Sequence, residues 1–111
     1  MSVPSLVIPR AREYPKVKIM PSHSGFAILA SDAWVTAREC PNVYLETSWS
    51  IPNDVEWFNR TIGTERIMFD SDLLKNIPAE IAKYETIDLT PTERERCLSG
   101  TAAEVFRLPS K

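Results

Sequence analysis

Three short polar clusters carry the side chains from which a reaction centre would be built. The first, Pro21-Ser22-His23-Ser24-Gly25, holds the only histidine of the chain. The second is Glu46-Thr47-Ser48 and the third Asp70-Ser71-Asp72. Neutral imidazole and carboxylate are ordinary ligands for zinc and similar divalent ions, and both can move protons. His23 and Asp72 are therefore candidates for one shared site. The same residue types also serve purely structural ends. A loop histidine can hydrogen-bond to backbone, and aspartates after a strand commonly cap or turn the chain, which applies to Asp70 as well as Asp72. Glu46 reads as a capping or pairing residue, and the three tryptophans as packing.

Each cluster closes a run of strand character. Lys16–Met20 (KVKIM) alternates polar and apolar residues, Asn42–Ser48 (NVYLETS) places Val43 and Leu45 on one side, and Arg66–Phe69 (RIMF) is almost wholly apolar, as a strand buried on both faces would be. Helical patterns follow each one. Leu29, Ala33, Ala37 and Cys40 share a face of a proline- and glycine-free run from Phe26 to Cys40, which Pro41 stops. Ser50 and Pro52 mark a helix start ahead of Ile51, Val55, Phe58 and Ile62, with Gly63 suited to the left-handed position past its end. Pro78 to about Tyr84 forms the third helix, with Ile77, Ile81 and Tyr84 roughly on one face. Thr90-Pro91-Thr92-Glu93 is a capping box, and Thr101 with Glu104 offers a second one opening a short last helix. Residues 1–13 are a poorly defined leader, broken by Pro4 and Pro9, although a helical turn around Ala11–Tyr14 fits.

Strand and helix thus alternate three times with short connections. Such an order predicts an α/β fold with a parallel sheet and right-handed crossovers, in which sites collect at the carboxyl ends of the strands. The 111 residues suit a single domain, with 43% hydrophobic and 25% charged residues. A net charge of −2 gives no electrostatic case for nucleic acid or an anionic membrane as partner. No run approaches the roughly 18 apolar residues of a membrane span, and a signal-peptide pattern is missing from the N-terminus. Cys40 and Cys97 stand far apart without CxxC company. They read as buried, reduced thiols on helices, in keeping with a cytoplasmic location rather than a disulfide framework or a zinc cluster.

Taken together, several segments resemble the amidohydrolase-related family of metal-dependent hydrolases and decarboxylases. YPKVKIMPSHSG, Tyr14–Gly25, is similar to the family's strand ending in His-x-Gly. CPNVYLETS, Cys40–Ser48, resembles the next strand, and IGTERIMFDSD, Ile62–Asp72, its Gly-x-x-Arg-Ile-x-Phe-Gly-Ser-Asp run. LTPTERERCLSGTAAEVFRL, Leu89–Leu108, looks like its closing helices. The resemblance implies the last three strand-helix units of a (β/α)8 TIM barrel. It implies for Asp72 the role of a metal ligand that orients or deprotonates the attacking water. For His23 it implies an acid/base near the metal or a ligand to a second ion. It further implies a divalent cofactor, zinc being the leading choice, and a small organic substrate.

Three departures stand out. Asp70 takes the place of a usual glycine, Thr101 that of a common asparagine, and no His-x-His pair occurs anywhere in the chain. One imidazole and one carboxylate fall short of the three or more protein ligands a catalytic metal normally takes. The expectation is therefore an incomplete barrel: the C-terminal portion of an enzyme, inactive alone, that self-associates or joins a missing N-terminal barrel portion. The alternative is a non-catalytic α/β binding or interaction module that has lost its metal site.

Overall fold

Two consecutive residues of regular ladder, Leu45–Glu46 (β1) and Ile67–Met68 (β2), run parallel at the centre of the protein, with Leu45 opposite Ile67 and Glu46 opposite Met68. The computed structural model describes residues 4–21 and 29–106. Beyond β1, Ile19 forms a parallel bridge with Val43, its N–H donating to the Asn42 carbonyl at 2.8 Å and its carbonyl accepting from Tyr44 at 2.7 Å. Three parallel segments therefore lie side by side in chain order, with β1 in the middle. The expected strand over Lys16–Met20 contracts to this single bridge. Among the described residues Ile19 has a ladder neighbour on one side only, and Val17 is 53% exposed, so the alternating pattern has no second neighbour to extend it.

After a 3-10 turn at Pro4–Val7 come α1 (Ile8–Glu13), α2 (Ala30–Glu39), α3 (Pro52–Thr61), α4 (Ile77–Thr86), α5 (Pro91–Glu95) and α6 (Thr101–Val105). Helices α2, α3 and α4 lie where the periodicity puts them, whereas α1 falls in the segment read as a poorly defined leader with only a helical turn around Ala11–Tyr14. Helix α2 buries Ala33 and Ala37, with Cys40 just past its end, and α3 buries Val55 and Phe58 on the face that the spacing marks out. Pro52 occupies the first turn of α3, where its missing N–H costs nothing, while Ser50 leaves the capping position to Ile51. Gly63 ends that helix region at φ 110°, a conformation that a β-carbon would strain.

Two polar side chains tie these layers together. The Arg66 guanidinium donates from Nη1 to the carbonyls of Ala37, Cys40 and Val43 at 2.9–3.1 Å, closing the end of α2 onto the entry to β1. The Asn42 amide donates to the carbonyls of Ala11, Tyr14 and Val17, fastening the N-terminal segment to the same entry. Each adds a side-chain donor to carbonyls at helix ends and turns, two of which, Cys40 and Tyr14, also accept a backbone N–H.

The two capping boxes part company. At Thr90 the box is complete: Thr90 Oγ1 accepts from Glu93 N at 3.1 Å, and Glu93 Oε1 accepts from Thr90 N at 2.8 Å. At Thr101 there is none. Its backbone is already helical (φ −65°, ψ −44°), continuing from α5 through a widened π-type turn at Arg96–Gly100. No helix starts there, so there are no orphan donors to cap. The buried Thr101 hydroxyl instead faces the carbonyls of Thr64 and Glu65, and Glu104 pairs with Arg96. The Cys97 carbonyl of the π turn accepts from Phe69 N at 2.9 Å, joining the closing helices to the end of β2.

Candidate functional site

Past β1 the chain makes a tight turn. Ser50 N donates to the Thr47 carbonyl at 3.1 Å, with Trp49 between them at φ 63°. Past β2 a second turn begins on Asp70, whose Oδ1 accepts from Ser71 N at 2.7 Å and Asp72 N at 3.2 Å. That is the turn-forming use of aspartate, and it engages one oxygen of the exposed Asp70 carboxylate with its own backbone. Asp72 follows at φ 65°. A left-handed conformation is uncommon for either residue type, and rarer for a bulky tryptophan. The two turns meet. The Trp49 indole Nε1 donates to Asp72 Oδ2 at 3.1 Å.

The structure thus places Asp72 at the carboxyl end of β2 with an exposed carboxylate, one edge of which the indole holds. His23 lies outside the described residues. Glu46 behaves as a pairing residue: it is buried, and its Oε1 accepts from Ser48 N at 2.6 Å. Thr47 turns inward, donating to the Met68 carbonyl or sharing a hydrogen bond with the Tyr84 hydroxyl. Burial pushes the Tyr84 phenol well above its ordinary value, so it stays neutral and acts as a structural hydrogen-bonding group rather than an acid or base.

Beneath both turns lies a buried ion pair that the sequence did not announce. Glu80 and Lys83, at i and i+3 on α4, are 5% and 11% exposed at their side chains, with Oε1 and Nζ 2.5 Å apart. Lys83 Nζ also donates to the carbonyls of Thr47 at 2.8 Å and Ser50 at 2.6 Å. Glu80 Oε2 accepts from Trp49 N at 3.2 Å and from Asn76 Nδ2 at 3.1 Å, and Asn76 Nδ2 reaches the Ser71 carbonyl. A Glu–Lys pair at this spacing usually reads as a solvated helix surface. The one available signal was its position directly beside the apolar Ile77, Ile81 and Tyr84.

The fit to a metal ion is limited. Among the described residues no three or more His, Cys, Asp or Glu side chains are grouped so as to hold one. Asp70 spends Oδ1 on its turn and the buried Glu46 accepts from Ser48 N, so the exposed carboxylates described at the strand ends are those of Asp70 and Asp72. The described residues therefore do not by themselves make a metal centre, and no catalytic step can be routed through one here.

Comparison with known proteins adds one finding. The family described as Amidohydrolase matches the chain over residues 1–108. Neither a curated protein nor a solved structure matches it.

Proposed function

The chain belongs to the amidohydrolase family, and we propose that residues 1–111 are a single unit forming the C-terminal portion of a metal-dependent hydrolase or decarboxylase of TIM-barrel architecture. Its substrate is a small organic molecule. The observation that carries this reading is the row of three parallel segments in chain order, with the Asp72 carboxylate presented where the last of them ends. Sequential parallel neighbours are how strands succeed one another around such a barrel, and strand carboxyl ends are where its sites lie.

In this proposal Asp72 is a metal ligand that also orients the attacking water, and His23 is an acid/base or a ligand to a second ion. The remaining ligands come from the part of the barrel this chain does not contain. A bound zinc or similar ion would supply a water nucleophile and polarise the substrate. The turn structure contributes what protein side chains can: Trp49 restricts the rotation of Asp72, and Asp70 fixes the backbone that carries it.

A second reading draws on the poor metal fit: a non-catalytic binding module that keeps the scaffold. Calorimetry with zinc on the purified chain, beside a His23→Ala/Asp72→Ala double variant, tests the ligand count. The expected result is no binding tighter than roughly micromolar, since two protein ligands fall short of a closed site. Tighter binding that the double variant abolishes would mean a complete site on this chain. Restoration of tight, Asp72-dependent binding when the missing barrel portion is added separates the enzyme from the module.

A further inference from the structure

We propose that the buried Glu80–Lys83 pair and Trp49 are positioning residues that set the orientation of the Asp72 carboxylate. The inference rests on the reading of Asp72 as the functional carboxylate, but the linkage itself is written in the geometry. Lys83 grips the β1 turn on both sides of Trp49, through the carbonyls of residues 47 and 50. Glu80 holds the Trp49 N–H between those two anchors. With both flanks and the amide fixed, Trp49 stays at φ 63° and its indole N–H is delivered to Asp72.

The second turn is held from the same carboxylate. Glu80 Oε2 accepts from Asn76, which in turn donates to the Ser71 carbonyl next to Asp72. Two left-handed, non-glycine residues in neighbouring turns are uncommon enough to require outside support. Here one ion pair on one helix supports both. Because the pair is nearly excluded from water, its geometry is fixed more firmly than that of a surface pair. The functional carboxylate is thereby indexed to α4 rather than to its own loop alone.

The three indole N–H resonances of the purified, isotope-labelled chain test this directly, with Trp49 assigned through Trp49→Phe. The Trp34 indole, which donates to Thr61 at the end of α3 at 2.7 Å, serves as an internal reporter of folding. Asp72→Ala should move the Trp49 indole resonance upfield while leaving that of Trp34 in place. Glu80→Gln, and the volume-conserving double variant Glu80→Leu/Lys83→Met, should produce the same displacement with Asp72 intact. A Trp49 indole that ignores Asp72→Ala, or that keeps its wild-type position in a folded Glu80/Lys83 variant, overturns the proposal. The wild-type chain provides a check that needs no variant: the Trp49 amide should exchange slowly with solvent, and exchange at the rate of an unstructured amide overturns it equally. Metal does not enter any of these measurements. Failure of Asp72-dependent zinc binding once the missing barrel portion is added, with the indole linkage intact, would remove the proposed role of Asp72 and leave the positioning network standing, and the reverse outcome would do the opposite.

Discussion

Cys97 sits fully buried, its thiol donating to Asn59 Oδ1 at 3.2 Å, and burial pushes its pKa up to about 12. A thiol in that state is protonated and unreactive across the physiological range, because the thiolate is the nucleophile. Cys40 is equally buried. The expected outcome with a thiol reagent at pH 8 is negligible reaction in the native chain and two thiols released in urea; prompt native labelling would show that the packing around the labelled cysteine, at the end of α2 or in the π turn, is not as described. Arg66 provides a second residue-scale test. Arg66→Met leaves three carbonyls between the α2 end and the entry to β1 without their shared donor, and a loss of about 1–3 kcal/mol should appear as a lowered urea midpoint. At this scale the sequence was readable where a residue's partners are local. Asp70 and Asp72 stand in a turn that their own order predicts. Glu80 and Lys83 were opaque, because only the tertiary placement of α4 under two turns turns an ordinary surface pair into a buried one.

Among the elements, α5 shows how closely a local signal can be realised. Its capping box satisfies two orphan donors reciprocally, and accepting the Thr90 N–H holds the Glu93 carboxyl below the usual carboxylate range. The folded state therefore favours ionised Glu93. Its contribution is fully present above the unfolded carboxylate pKa and is lost as pH falls through the lower, folded value. Thr90→Ala should cost about 1 kcal/mol at neutral pH. The effect of Glu93→Ala should shrink toward zero in acid titrations of stability, and a penalty that persists unchanged there would assign Glu93 some role other than the charged half of the box. The failed second box teaches the converse. Thr101 and Glu104 have the right spacing, but the Arg96–Gly100 turn carries the helix straight through, so spacing without a helix start caps nothing. Helices were legible because α2 and α3 bury a face of correct period, while α4 buries Tyr84 with Glu80 and leaves Ile77 and Ile81 only half-buried. The strands were legible in order but not in length, since ladder extent depends on neighbours that a single segment's pattern cannot reveal.

The whole molecule presents a parallel sheet too small to close on itself. Among the described residues only the segment 43–46 has parallel partners on both sides, through Val43 and β1, and the segment around Ile19 meets none beyond it. Close to this edge Val17 is 53% exposed, while Leu73 and Leu74 at the strand ends are 57% and 85% exposed. Unpaired backbone beside exposed apolar side chains is a template for adding another strand, whether from a second copy or from a missing barrel portion. The isolated chain should therefore self-associate, with a weight-average sedimentation coefficient that rises with concentration. Val17→Lys places a charge at the edge without touching the buried core, and it should suppress that rise, as edge lysines do in natural sheets. Urea unfolding of the wild-type chain should depend on protein concentration in the same way, because association of the folded form adds to its apparent stability. A concentration-independent, stable monomer in both experiments would mean that the open edge is already satisfied. The incomplete-barrel reading would then give way to an independent α/β module.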